Sequence, residues 1–414
     1  MILQNNTVMN NHSLSGADNN NSVKKTAALK FIVLLGVVSL FADVTYEGAR
    51  SINGPYLALL GASATTVGFV AGLGELIGYS LRLVAGYISD KMGRYWPITL
   101  FGYSLNLLAV PALALAGRWE IAVLLMIAER MGKAIRTPAR DAMLSHATKE
   151  IGRGKGFGLH EALDQIGAVL GPLAVAGVIY FKEGYRTGYV ILLAPALMAI
   201  SVLITARWLY PQPRDLEVAQ TELETKGFPG KFWLYLIAVA LIAAGYADFP
   251  LIAYHLKKVS VVSDAWIPVF YAIAMGVDAI AALFFGYLFD RIGISILVIA
   301  SLCSMLFAPL VFWGNFSVAL VGMGLWGMGM GAQESIMRAA IAEMVPITRR
   351  GAGYGIFNAG YGVCWFLGSA LMGFFYDFSL MALVTFSIVV QFTSVPLLLL
   401  VKRSSSKDKK EAVV

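Results

Sequence analysis

Apolar residues run in blocks of about twenty along nearly the whole chain, with short polar clusters between them. The blocks fall at 29–50, 65–87, 95–116, 120–143, 157–180, 188–208, 232–254, 266–288, 294–313, 317–343, 353–376 and 380–401. Each is long enough to cross about 30 Å of hydrocarbon as a helix. A transmembrane barrel would instead show alternating segments of about 10 residues. The pattern therefore predicts an all-α membrane protein of twelve transmembrane helices. The polar stretch "RWLYPQPRDLEVAQTELETKGFPGKF" at 207–232 divides them into two groups of six. The expected organisation is a disordered cytoplasmic tail (1–28), an N-terminal six-helix half (29–208), a cytoplasmic linker (209–231), a C-terminal six-helix half (232–402) and a cytoplasmic tail (403–414).

Composition agrees with that reading. Of 414 residues 58% are hydrophobic and 14% charged, whereas soluble domains carry about 25% charged residues. So few charges cannot cover a globular surface. The first 25 residues, Asn-rich and polar, lack the apolar core and cleavage site of a signal peptide. With the N-terminus in the cytoplasm, about 20 Lys and Arg lie on that side. The opposite loops hold Arg118, Lys182, Arg186, Lys257 and Lys258. That bias predicts a multi-pass protein of the cell (inner) membrane with both termini cytoplasmic. It also accounts for the net charge of +7 without a nucleic-acid partner. Cys303 and Cys364 sit in separate blocks, with no metal-ligand spacing.

The two groups resemble each other. "GYISDKMG" (86–93) matches "GYLFDRIG" (286–293), and "RGKGFGLHEALDQIGAVLG" (153–171) aligns without gaps to "RGAGYGIFNAGYGVCWFLG" (350–368). Duplicated halves of this kind are a transporter architecture. "GYISDKMGR" resembles the signature loop of the major facilitator superfamily, and its degenerate second copy lies between the eighth and ninth blocks. The resemblance spans essentially the whole apolar chain and implies two pseudo-symmetric six-helix halves. It assigns gate roles to Gly86, Asp90, Gly93 and Arg94, with Asp290 as the second-half carboxylate. Ile294 replaces the last base of that copy, which implies a weaker latch there. In the fifth block Gly158, Gly167, Gly171 and Pro172 are similar to the superfamily's antiporter motif. Val175 and Ala176 stand where that motif closes with two glycines, so a generic small-residue packing face remains an alternative.

The stretch "ERMGKAIRTPARD" (129–141) follows an apolar run without any turn signal. Glu129, Lys133, Arg136 and Arg140 are spaced 4, 3 and 4 apart, one stripe of a helix. An offset of 197 residues carries "GKAIRTPARDA" onto "GMGAQESIMRA", pairing Arg136 with Gln333 and Asp141 with Arg338. The charges are thus expected inside the helix, facing protein or water, because each costs about 2.5–3.5 kcal/mol at mid-membrane. In the superfamily the first, fourth, seventh and tenth helices line a central cavity. Carried over, the candidate substrate-binding residues are Asp43, Glu47, Arg50, Glu129, Arg130, Lys133, Arg136, Asp248, Glu334 and Arg338. Pairing along one helix, Glu129 with Lys133 and Glu334 with Arg338, is the structural alternative. Glu75 and Arg82 are read as a packing brace, and Arg140 as a gate residue near the interface.

"HEALDQ" (160–165) places His160, Glu161 and Asp164 on neighbouring turns. Two carboxylates close together in low dielectric resist joint ionisation, so Glu161, Asp164 and the isolated Asp278 are candidate proton carriers. Two helical ligands without further His or Cys are a poor metal site; neither metal nor cofactor is expected. No phosphate-binding loop and no nucleophile–base motif is present, which argues against an ATPase and against an enzyme. The expected protein is a secondary active transporter, monomeric in the lipid bilayer, moving a small-molecule substrate by proton-coupled efflux. Proton-coupled uptake of a charged nutrient and a non-transporting sensor are the alternatives.

One prediction concerns the latch. Asp90→Asn removes an anion on the cytoplasmic side only, so the population shifts toward the inward-open form while insertion is unaffected. Crosslinking across the two faces reads this, and unchanged accessibility with unchanged flux would remove Asp90 from the gate.

Overall fold

The computed structural model describes residues 6–151, 153–181, 184–211, 227–345 and 350–411. Expectations that rest on the side chains of Asp90 and Arg338, or on residues 212–226 of the linker, lie outside the described residues. Among those described, every element is helical. They are α1 (Asn6–Leu59), α2 (Ala64–Met92), α3 (Tyr95–Ala112), α4 (Trp119–Ile151), α5 (Arg153–Tyr180), α6 (Gly184–Ile191), α7 (Leu193–Leu209), α8 (Gly230–Gly245), α9 (Phe249–Val259), α10 (Trp266–Ile292), α11 (Ser295–Ser304), α12 (Phe307–Trp313), α13 (Phe316–Met344), α14 (Arg350–Phe378) and α15 (Leu380–Glu411), with a 3-10 turn at Leu113–Leu115. Helix α1 thus starts within the stretch whose composition predicts a disordered tail, and α15 runs on into 403–411.

Three of the twelve predicted spans are broken, and each break lies about one turn before a proline. The breaks at Leu192, at Tyr246–Asp248 and at Met305–Leu306 precede Pro195, Pro250 and Pro309. Proline lacks the N–H that would bond four residues back, and its ring crowds that carbonyl. Among the described residues, ten runs are long and apolar enough to cross a membrane. Helices α4 and α13, which cover the fourth and tenth predicted spans, fall outside that set. Both carry charged and polar residues that turn toward the middle of the bundle.

The helices pack in a pattern that leaves a space in the middle. Helix α1 lies along α5, α3 along α4 and α10 along α13, while α2 against α14 and α5 against α10 join the first seven helices to the last eight. Small residues permit the closest of these approaches. A Cβ on Gly171 would come within 2.9 Å of the Gly48 backbone nitrogen on α1, so the Gly167–Gly171 face works as a packing surface.

At one end the packing is tight. A Cβ on Gly54 would run into the Pro250 carbonyl, and one on Gly68 would stand 2.9 Å from the Cα of Gly373. A polar clasp reinforces this end. Ser63 caps α2 by accepting from Thr66 N–H at 3.1 Å. Asp377, at the end of α14, takes the preceding donors: Ala64 N–H at 3.3 Å, and Thr65 N–H and hydroxyl at 2.8 Å each. The first N–H groups of a helix have no intrahelical partner, and a carboxylate also suits the positive helix end.

Asp377→Ala should therefore loosen this end, each charge-assisted bond being worth about 1.5–3 kcal/mol when shielded and less where exposed. With Cys303 and Cys364 replaced by alanine, a cysteine at position 64 should react faster with a membrane-impermeant maleimide in the Asp377→Ala background. Equal labelling rates would show that the clasp does not hold the closure.

Candidate functional site

The space between the helices is a cavity of about 560 Å³, within the range typical of small-molecule sites. It starts at the level of Arg50, Glu75, Arg130 and Trp365, beneath the tight end. It runs to Arg82, Arg140, Asp141 and Leu283 at the other. Helices α1, α2, α4 and α5 form one wall; α10, α13 and α14 form the other.

Local sequence explains how charges reach this cavity. Helix α4 continues from Trp119 through Ile151, so the stripe from Glu129 to Arg140 is helical, with Pro138 inside it. Gly132 lets α4 lie against α3, where an added Cβ would come 2.8 Å from the Cα of Asn106. That contact gives Glu129 a buried donor: Asn106 Nδ2 bonds both its carbonyl, at 3.0 Å, and its Oε1, at 2.8 Å. Glu129 also meets Arg130 at 3.5 Å. The pairing of Glu129 with Lys133 along the helix is therefore not made; Lys133 sits 3.6 Å above the ring of Tyr46 instead.

Arg50 is the centre of an ion-pair network. Its Nη2 stands 3.2 Å from Glu75 and 3.4 Å from Asp248, and Arg130 reaches the same Glu75 oxygen at 3.2 Å. Glu75 thus braces α1, α2 and α4 together rather than pairing along α2 with Arg82. Asp248 falls in the break between α8 and α9, where its side chain caps nothing. Its second oxygen accepts from Trp365 Nε1 at 2.9 Å and from the Ser369 hydroxyl at 2.8 Å. Glu47 accepts from the hydroxyl of Tyr271. Tyr46, Tyr271, Asn106 and Trp365 complete these contacts. No sequence pattern singles these four out, because aromatic and amide side chains in an apolar helix carry no distinctive signal.

The structure brings most of the predicted residues together. Asp43, Glu47, Arg50, Arg130, Lys133, Arg136 and Glu334 line the cavity; Glu129 and Asp248 lie behind it, buried. The seventh predicted span thus contributes through Asp248's grip on Arg50. Helices α2, α5, α10 and α14, beyond the expected four, supply wall residues.

The candidate proton carriers Glu161, Asp164 and Asp278 also line the cavity, but with different partners. Asp164 lies 3.4 Å from His160 Nδ1, whose Nε2 is 3.0 Å from the Ser39 hydroxyl. Glu161 is exposed and contacts Gln165 at 3.5 Å. Asp278 is buried, with one oxygen lacking any hydrogen-bond partner.

Arg140, expected as a gate residue, pairs with Asp141 at 2.8 Å and donates to Ser39 at 3.0 Å. Gly86 packs near Pro138, with 3.6 Å between an added Cβ and that ring, and Gly93 ends α2 at φ 57°. That left-handed turn favours glycine; Gly293 after α10 also takes a positive φ of 60°, but with a ψ of −147° in place of 23°. Arg94 starts the following helix, and Asp290 is exposed near the end of α10. Gly158 has open space around it, whereas Gly167 and Gly171 face α1; Pro172 is inside α5. No cluster with metal-binding geometry occurs among the described residues.

Breaking the Arg50 network leaves Glu75 and Asp248 buried with less compensation, a loss of about 3–5 kcal/mol for a buried pair. Arg50→Gln should lower thermal stability sharply. Adding Asp248→Asn should restore part of it, since the amide oxygen still accepts from Trp365 and Ser369. Additive losses in the thermal unfolding of the double variant would show that the two residues are not coupled.

The model for the Major Facilitator Superfamily matches the chain over residues 35–331 and 232–413. An uncharacterised protein of Mycobacterium tuberculosis is 40% identical over 372 residues, covering 88% of this chain and 91% of that one. The multidrug resistance protein MdtH of Photorhabdus laumondii is 32% identical over 142 residues, 34% of this chain and 33% of that one. Among solved structures, the nucleoside transporter NupG superposes with a TM-score of 0.74 at 13% identity, covering 89% of this chain and 99% of that one. The fold, the paired-helix packing and the matched span agree, and the chain belongs to the Major Facilitator Superfamily.

Proposed function

We propose that this protein exports a small polar or amphiphilic solute by alternating access, driven by exchange for protons. The observation that carries the reading is the cavity itself. It is polar, of about 560 Å³, and closed at one end by glycine contacts and the Asp377 clasp. Toward the other end it is lined by the half-exposed Asp141 and the exposed Leu283. A secondary transporter needs one central site and two closures that alternate. The basic-residue bias assigns the open end to the cytoplasm, where an exporter loads. The partial likeness to a multidrug resistance protein and the antiporter-like face of α5 favour export over uptake.

Flux decides it. Solutes that raise the unfolding temperature of the purified protein are loaded into liposomes with a pH gradient and an internal pH dye. An exporter moves the stabilising solute against its gradient and dissipates the pH difference as it does so. A solute that stabilises the protein yet leaves both gradients intact would indicate a sensor.

Within this reading, Glu161 and Asp164 are the proton carriers to test, each on its own partner. Glu161→Gln or Asp164→Asn should abolish pH-driven accumulation while preserving solute exchange, which needs alternating access but no net proton release. Full pH-driven transport in both variants would dismiss them. Loss of exchange as well would assign them to structure or solute binding.

A further inference from the structure

Carboxylates and bases in the cavity are unequally engaged. Glu75 and Asp248 are held by Arg50, Glu129 by Asn106 and Arg130, Glu47 by Tyr271, Asp164 by His160, and Asp141 by Arg140. Two bases on α4 are left over. Lys133 makes no ion pair among the described residues and rests on Tyr46. Arg136 is 1% exposed; its guanidinium lies 4.1 Å from the centre of the Tyr103 ring, with Nε and Nη1 lacking any hydrogen-bond partner. Both residues line the cavity and are one helical turn apart.

The repeat-related residue makes a useful contrast. Gln333 aligns with Arg136, and its amide is satisfied at both ends: Tyr361 donates to it at 2.7 Å and it donates to the Gly329 carbonyl at 3.1 Å. The second half therefore fills this position with an amide that needs nothing further. The first half puts there a cation that pairs with no carboxylate among the described residues. A guanidinium offers five N–H donors in a fixed fork suited to carboxylate, sulfate or phosphate. Buried charges call for a partner.

We propose that Lys133 and Arg136 form an anion subsite that takes the carboxylate, sulfate or phosphate group of the transported solute. Asp43 and Glu47 interact electrostatically with Lys133, and Asp43 and Asp164 with Arg136, but none of the three carboxylates bonds to either base. What remains open is hydrogen-bonding capacity: two buried guanidinium nitrogens of Arg136 have no acceptor. Asp278 and Glu161 face the cavity from α10 and α5, and they set a repulsive limit on larger polyanions. The proposal rests on the transporter reading for its solute, but the subsite is testable without flux.

The test is the thermal unfolding of the purified full chain in detergent as sodium sulfate or sodium benzoate replaces chloride at constant ionic strength. The expected result is a saturable rise in the midpoint with at least one of the two anions. Arg136→Gln and Lys133→Gln should each weaken the half-saturation at least tenfold, while Arg136→Lys retains most of the response. Arg118→Gln, at an exposed arginine paired with Glu120 away from the cavity, should respond as the native chain does. If Arg136→Gln does not fold, Lys133→Gln alone decides. A native chain indifferent to both anions overturns the proposal, as does a native-like response in the folded charge-deleting variants. Anion binding lost in those variants, in a protein that shows no flux, would uphold the subsite and remove the transporter reading.

Discussion

A guanidinium held among apolar helices is stabilised by nearby carboxylates, and Arg50 has two of them. Isolated, a buried ion costs several kcal/mol even after relaxation. Joined to Glu75 and to Asp248, Arg50 ties α1 to α2 and to the break between α8 and α9. Arg130 enters from α4 through the same Glu75 oxygen. Four regions of the chain thus converge on one set of charges directly beneath the tight end of the cavity. Leaving any of these charges unpaired is costly in a low dielectric, so the geometry of the network favours one placement of these helices. The backbone break that frees Asp248 is part of the same device: an unbroken helix at Tyr246–Asp248 would have to include the Pro250 ring one turn on.

Much of this is legible in the sequence because the physics is local. Apolar blocks of membrane length give the helices, and the 4-3-4 spacing of Glu129, Lys133, Arg136 and Arg140 by itself gives a helical stripe. Gly93 and Gly293, met at equal spacing in a repeated octapeptide, both take a positive φ. What is not legible is pairing across distance. Glu129 has a base four residues on, and local reasoning joins them; the structure gives Glu129 to Asn106, 23 residues away, because Gly132 lets α3 approach. Asp377 carries no sequence signal at all, since its partner helix starts more than 300 positions earlier in the chain. The breaks before Pro195, Pro250 and Pro309 are only partly readable, because Pro138 and Pro172 lie inside continuous helices. Hydropathy windows average over such residues, and that masks the signal.

The tight end and the charge network beneath it differ in the kind of contact that holds them. The tight end combines backbone-to-backbone approach at Gly54 and Gly68 with a helix-capping carboxylate. Such contacts are short-ranged. They are either fully made or absent, the behaviour expected of packed surfaces that switch between discrete states. Charge pairs weaken more gradually with distance, so the Arg50 network can persist while helices slide by a few tenths of an ångström. In the cycle proposed above, a closure built from steric contact, set above a network built from charge, would let the end open while the halves keep their register.

The asymmetry between the halves bears on which wall meets the solute. Gln333 and Tyr361 satisfy each other, and Trp365 and Ser369 are spent on Asp248. The second wall is therefore mostly self-contained, apart from the unbonded oxygen of Asp278. On the first wall, Tyr46 and Tyr103 offer only ring faces to Lys133 and Arg136. Cation–π contact is worth about 0.5–2 kcal/mol, too little to offset the desolvation of a buried cation. Aromatic support thus keeps these two bases folded and oriented without neutralising them. A carboxylate from the protein would do more for stability and would leave less capacity for an incoming anion. Pairing that favours the fold and capacity that favours binding compete for the same N–H donors, and α4 divides them: Arg130 is committed to the network, while Lys133 and Arg136, the next two bases along the cavity, are not.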